Sequence, residues 1–234
     1  MKYDAYIFDV DGVLINTSQS FTAAVLEAVA YATSSHDFSA IEFGQLKAVP
    51  GFNNDWHVAV AGSCWINWRR EMDFSTFTSE IEKNGGGIEG LRISVNRLTL
   101  EFEEKLIRLV QEAYGGTLAC HRLYGFNPQF ILHKGLWCTE TPLISSTLIE
   151  PILPRAGIFT GRSPAEMGLA FELLGWDLPN RFVAVSEDPA LDKPNPTKLI
   201  YIVEQLNCHY PIYFGDTRDD LELVKNYRYQ TGKQ

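Results

Sequence analysis

The chain is poor in the features that mark several large classes of protein. Its 234 residues hold four cysteines, Cys64, Cys120, Cys138 and Cys208, widely scattered and without a Cys-x-x-Cys pair. That usage excludes a disulfide framework and fits structural thiols in a reducing compartment. Positive charge is scarce: 20 Lys and Arg stand against 29 Asp and Glu, a formal charge of −9. The imbalance, with no basic stripe to offset it, argues against general affinity for nucleic-acid backbones or anionic membrane surfaces. It leaves small anionic ligands open, because a metal and a few local donors can reverse the field inside a cleft. No apolar run approaches bilayer-spanning length, and the first apolar segment is cut by Asp9 and Asp11 before it could serve as a signal peptide. The five histidines, His36, His57, His121, His133 and His209, show no metal-ligand spacing, and no internal repeat is evident. What remains is an ordinary globular composition, 45% hydrophobic and 21% charged, long enough for one large or two modest domains. A cytoplasmic enzyme or binding protein, with no nucleic-acid or membrane partner, is expected.

The stretch Ile7-Phe8-Asp9-Val10-Asp11-Gly12-Val13-Leu14 sets two carboxylates two residues apart, directly after an apolar run that reads as a buried strand over residues 5 to 8. In an extended segment residues i and i+2 share a face, so Asp9 and Asp11 leave the strand's C-terminal end on one side. Open α/β sheets bind ligands at that end. Carboxylates this close repel unless a cation or shared proton relieves them, and a hard divalent cation suits oxygen ligands. Taken alone, the motif reads equally well as an exposed Asp-x-Asp-Gly turn.

Beyond it, Asn16, Thr17 or Ser18 can cap a helix bearing Phe21, Val25 and Val29. Residues 34 to 150 do not alternate strand with helix; they are rich in Trp, Phe and charge, with breaks at Asn84-Gly85-Gly86-Gly87 and Gly115-Gly116. The best helix there runs from Val95 to Tyr114, its Glu101, Glu103, Glu104, Lys105 and Arg108 on a solvated face. This is expected to be a mainly helical insertion. Within it, Gly51-Phe52-Asn53-Asn54-Asp55-Trp56 fits a substrate loop, with Phe52 and Trp56 packing a ligand and Asn53 and Asn54 bonding its hydroxyls. It fits an Asx-rich helix start equally well.

The alternating rhythm returns at Ala156. Strand, polar loop and helix recur three times: Ala156 to Phe159 with Thr160-Gly161-Arg162; Phe182 to Val185 with Lys193-Pro194-Asn195-Pro196; and Pro211 to Phe214 with Gly215-Asp216-Thr217-Arg218-Asp219-Asp220 and a final short helix. Ser163, Pro164 and Glu166 form a helix start and Gly175 its stop. The pattern predicts an α/β fold with a doubly wound, parallel, Rossmann-like sheet.

Four strand ends thus carry Asp-x-Asp-Gly, Thr-Gly-Arg, Lys-Pro-Asn-Pro and Gly-Asp-x-x-x-Asp in order. Together they resemble the haloacid dehalogenase superfamily of phosphatases and phosphotransferases, over residues 5 to 33 and 156 to 225. The resemblance implies a catalytic core of residues 1–16 and 151–234, and a helical cap of residues 17–150 like that of the phosphoglycolate-phosphatase-like branch, closing over the cleft to select substrate. It implies Asp9 as nucleophile and Asp11 as general acid and base. Mg²⁺ would be held by Asp9, the Asp11 carbonyl and Asp216, with Asp220 in support. Thr160, the Gly161 N–H and Lys193 would contact the phosphoryl oxygens. The cap is longer than usual, and only about fourteen residues follow Asp220, fewer than the strand and helix that commonly complete such a sheet.

The expected activity is Mg²⁺-dependent hydrolysis of a small phosphorylated metabolite through an aspartyl-phosphate. A phosphosugar mutase of the same superfamily is the near alternative, and a catalytically silent binding module the alternative of another class. A dehalogenase would not need Asp11 or a metal, and a phosphonate hydrolase would want a cap lysine. Arg162 is open between a bidentate contact to a second substrate anion and a solvated charge at the helix start. Oligomeric state is not legible.

Overall fold

The computed structural model describes residues 3–52 and 54–232. The chain divides into two compact units, Met1–Thr17 with Thr141–Gln234, and Ser18–Glu140. The first crossing thus falls one residue after the expected position. The return falls ten residues earlier, at 140/141 rather than 150/151, for a local reason: Ile15–Asn16 (β2) pairs antiparallel with Thr141–Pro142 (β3), and the Leu143 N–H donates to the Leu14 carbonyl at 2.8 Å. That ribbon ties residues 141–150, including the one-turn helix Ser146–Ile149 (α7), to the first unit.

The first unit is built on a four-stranded parallel sheet. Ala5–Phe8 (β1) lies between Ala156–Phe159 (β4) and Pro211–Phe214 (β6), and Val183–Ala184 (β5) flanks β4. Phe8 stands opposite Ile158 on one side and Phe214 on the other. Because side chains alternate along a strand, β1 is buried on both faces. Phe8 joins Met167, Ala170 and Trp176 in one apolar cluster, while Ala5 and Ile7 join Leu199, Ile202, Val203 and Leu223 in another. Pro164–Leu174 (α8) supplies the first cluster; Thr197–Gln205 (α9) and Arg218–Thr231 (α10) supply the second. This is the doubly wound arrangement the alternation predicts. The chain builds outward from β1 to β4 and β5, then returns to place β6 on the other flank. That reversal is the switch point where such sheets open a crevice.

Helix ends follow the local chemistry. Ser163 and Glu166 form a reciprocal capping box at the start of α8, and Gly175 ends it in the left-handed conformation. A second box, Thr217 with Asp220, starts α10, which at 14 residues is longer than the short helix expected.

The second unit is helical: Phe21–Thr33 (α1), Ala40–Ala48 (α2), Asp55–Cys64 (α3), a π-helical turn over Trp65–Arg69, Phe74–Lys83 (α4), Gly87–Ser94 (α5) and Leu100–Tyr124 (α6). Several boundaries differ from expectation. Asn16, Thr17 and Ser18 do not cap α1, which begins at Phe21. Ser20 at its N-cap position makes no cap bond, and its hydroxyl donates to the buried Glu140 carboxylate at 3.0 Å. Val95 closes α5 instead of opening α6, which starts at Leu100 behind the Thr99 cap. The break at Gly115-Gly116 is real but local. Gly116 takes φ 55° and ψ −161°, and α6 resumes to Tyr124. Any Cβ there would lie 2.1 Å from the Gly135 nitrogen, so the glycine lets two backbone segments meet. Glu103, expected on a solvated face, is buried and takes two guanidinium bonds from Arg92, at 2.9 and 2.7 Å. All four cysteines are free, and Cys64, Cys120 and Cys208 are buried. Among the described residues no helix is long and apolar enough to cross a membrane.

Candidate active site

Three strand ends of the first unit converge. At the end of β1 the Asp9 N–H continues the ladder, donating to the Phe214 carbonyl at 2.8 Å, while the Asp9 carboxylate turns back to accept the Val10 N–H at 2.7 Å. Gly12 closes the loop at φ 73°, a backbone region L side chains rarely enter. It also makes room: a Cβ there would fall 2.0 Å from Asp216 Oδ2. Glycine therefore lets the loop after β1 lie directly beneath the carboxylate that follows β6.

Lys193 reaches this point from the loop between β5 and α9, through a cis Lys193–Pro194 bond. Its ammonium stands 2.8 Å from Asp9 Oδ2 and 2.7 Å from Asp220 Oδ1, and 5.6 Å and 5.7 Å from the ring centres of Phe159 and Tyr213. Asp220 is saturated with donors. Its Oδ1 also accepts the Tyr213 hydroxyl at 2.7 Å, and its Oδ2 accepts the Thr217 hydroxyl at 2.6 Å and the N–H groups of Asp216 and Thr217 at 3.2 and 3.0 Å. Tyr213, an unannounced hydroxyl in an apolar strand, is the member that sequence reasoning missed.

The electrostatics separate the carboxylates. Burial raises the Asp9 pKa from 3.8 to about 6; Lys193 opposes this, and the nearby Asp220 and Asp11 charges reinforce it. Burial also works on Asp220, but Lys193 and the hydroxyls of Thr217 and Tyr213 outweigh it, and its pKa ends below the ordinary value. Asp216 is raised by burial and by the Asp220 charge. Two proton-hungry carboxylates beside a firmly ionised one form a site short of positive charge.

Oxygen atoms of Asp9, Asp216 and Asp220 lie within 4.8 Å of one another, the only such grouping among the described residues. The donors are all hard oxygens, and Asp9 and Asp216 are not saturated as Asp220 is. The chemistry of the set fits a hard divalent cation such as Mg²⁺, which Asp9 and Asp216 would be the oxygens to hold, while Asp220 anchors Lys193 and the loop.

Asp11, half-exposed, points to a different partner: Arg162 donates to its Oδ1 from Nε at 2.8 Å and from Nη2 at 2.7 Å. Arg162 is thus neither a solvated charge nor exposed to a second substrate anion; its side chain is 1% exposed, because the loop after β4 tucks it inward. Thr160 is buried at the end of β4, its N–H bonded to the Ala184 carbonyl at 3.0 Å and its hydroxyl accepting the Arg162 N–H at 3.2 Å. Gly161 lies exposed beside it.

The suggested substrate loop of the second unit is a helix start. Asn54 caps α3, its Oδ1 accepting the Trp56 N–H at 2.9 Å. Phe52 is fully buried in the helical core, and Trp56 packs there beside Phe21 and Tyr124. Asn53 lies outside the described residues. The aromatic rings thus serve packing, which the sequence could not separate from ligand contact.

No family model and no curated protein matches the sequence. Solved structures do match it. Phosphatase Tt82 from Thermococcus thioreducens is similar at 27% identity and a TM-score of 0.72, over 97% of this chain and 89% of that one. A HAD-superfamily hydrolase of subfamily IA from Geobacter sulfurreducens aligns at 13% identity and a TM-score of 0.50, over 97% and 84% of the two chains. The chain has the haloacid dehalogenase superfamily fold. A haloacid dehalogenase-like protein from Agrobacterium tumefaciens shares it at 12% identity and a TM-score of 0.53, over 96% and 79%. Superfamily hydrolases and phosphatases are therefore this chain's neighbours in structure, and the acidic strand ends sit at the crevice where such a sheet opens.

Proposed function

We propose that the protein is a Mg²⁺-dependent phosphatase acting on a small phosphorylated metabolite through an aspartyl-phosphate. The observation that carries this is the Lys193 ammonium bridging Asp9 and Asp220, with Asp216 close enough to share a cation. Mg²⁺, when bound by Asp9, Asp216 and the Asp11 carbonyl, would offset the carboxylates and polarise the phosphoryl group. Asp9 attacks phosphorus; the new O–P bond forms as the ester P–O bond breaks, and Asp11 protonates the departing oxygen. Water then attacks the same phosphorus, gives its proton to Asp11, and the acyl-phosphate bond breaks to return the Asp9 carboxylate and free phosphate. Lys193, Thr160 and the Gly161 N–H would hold the phosphoryl oxygens as charge develops.

Burial suits Asp9 to this work: a carboxylate in a dry site is less solvated and more reactive once a cation keeps it ionised. The experiment is a screen of phosphorylated metabolites for phosphate release with Mg²⁺ and with a chelator, alongside Asp9→Asn. The expected result is Mg²⁺-dependent release in the parent and none in the folded variant. Undiminished turnover by Asp9→Asn would remove the mechanism, and isomer without free phosphate would make the protein a mutase.

A further inference from the structure

The loops after β1 and β4 are joined by a charge pair between residues 151 positions apart in sequence. Exposure falls sharply across it. The Asp11 side chain is 34% exposed, while that of Arg162 is 1% exposed. The guanidinium therefore stands behind the carboxylate, on the protein side, where solvent-borne substrate meets Asp11 first. Both contacts, from Nε and Nη2, converge on Oδ1. Arg162 is itself held at its backbone: its N–H donates to Thr160 Oγ1 at 3.2 Å, and its carbonyl accepts the Ser186 N–H at 2.9 Å. The anchor thus belongs to the sheet rather than to a mobile tip.

Stability gives little reason for such a pair. Removing a guanidinium from water is costly, and an apolar side chain of similar volume often serves a fold as well as a buried ion pair does. What a rigid, planar, two-donor contact does supply is orientation. A proton donor 1 Å out of line loses much of its effect.

We propose that Arg162 is a positioning residue for Asp11: by fixing Oδ1 from behind, it presents Oδ2 to the oxygen that must gain or lose a proton. This rests on the phosphatase reading above, in which Asp11 is the general acid and base. Arg162 has no part in binding the phosphoryl group, since its Nε and Nη2 are turned to Asp11 and its side chain is buried.

The test compares the parent, Arg162→Met, Arg162→Lys, Asp11→Asn and the Arg162→Met/Asp11→Asn double variant, with saturating Mg²⁺. The substrates are p-nitrophenyl phosphate, whose leaving group departs without a proton, and phenyl phosphate, whose leaving group needs one more. For Arg162→Met we expect kcat/KM on phenyl phosphate to fall about 10- to 100-fold, within the range a positioned acid contributes, with no rise in KM and a smaller loss on p-nitrophenyl phosphate. Arg162→Lys should recover part of the loss, and Arg162→Met should cost nothing further once Asp11 is Asn, because the two act as one unit. If Arg162→Met does not fold, Arg162→Lys carries the same comparison with Asp11→Asn. A raised KM with kcat intact would make Arg162 an anion-binding group. Equal losses on both substrates that also add to Asp11→Asn would make it a packing residue. Either outcome overturns the proposal. A parent without Mg²⁺-dependent turnover would remove the phosphatase reading and this inference with it, whereas an active parent matched by Arg162→Met removes this inference alone.

Discussion

Burying Asp9 should leave a signature in stability as well as in catalysis. In the metal-free fold its pKa rises from 3.8 to about 6. At about 1.36 kcal/mol per pKa unit, that is a cost of about 3 kcal/mol for holding Asp9 ionised in the native state. The sign follows from proton counting. Between about pH 4 and pH 6 the native state holds a proton that the unfolded chain has released, so stability falls as pH rises through that window and levels off above it. Asparagine cannot titrate, and Asp9→Asn should remove this contribution while Lys193 keeps its contact with Asp220. Urea unfolding of both proteins in chelator, from pH 4 to pH 7.5, isolates the effect, because most other titrating groups cancel in the difference. Relative to the parent, the variant should gain about 3 kcal/mol between the acid and neutral ends. Adding Mg²⁺ at neutral pH should then stabilise the parent and not the variant, since a cation favours the ionised carboxylate. A stability difference that stays flat across the window would refute the account of Asp9 as a desolvated carboxylate.

Three further outcomes test other parts of the structure. Gly12→Ala should cost about 1–2 kcal/mol from the left-handed backbone alone. It should also push Asp216 aside, so that calorimetry finds weaker Mg²⁺ binding; unchanged affinity would mean the close approach of Gly12 to Asp216 is not required. Lys193→Met strands two buried carboxylates, which should cost about 3 kcal/mol and about 10²-fold or more in kcat, read by unfolding and by phosphate release. Glu112, fully buried on α6, accepts the N–H groups of Phe130 and Ile131 at 2.7 and 3.1 Å. Glu112→Ala should leave those donors unmet, lower stability by about 1–3 kcal/mol, and raise amide exchange at residues 130 and 131 first.

Local chemistry made much of the molecule legible. The apolar run before Asp9, the Ser163–Glu166 box and the Gly175 stop depend on neighbours within a few residues, so period and cap residues suffice to read them. The order of motifs at four strand ends was likewise visible, since a parallel sheet gathers C-terminal edges at one side whatever its loops do. Less legible was anything that depends on a partner distant in the chain. Glu103 looked like one more surface acid until Arg92 proved to lie across from it. The Phe52-to-Trp56 segment admitted two readings because an aromatic ring carries no local mark of whether it meets a ligand or a core.

The sequence alone determined that acidic groups would stand at the ends of parallel strands, because alternation and loop composition are properties of contiguous residues. Only the tertiary structure decided which charges neutralise which. Lys193 lies between Asp9 and Asp220, Tyr213 completes the donors around Asp220, and Arg162 turns inward to Asp11. Electrostatic energy depends on distance and on burial, and neither can be read along a chain before it folds.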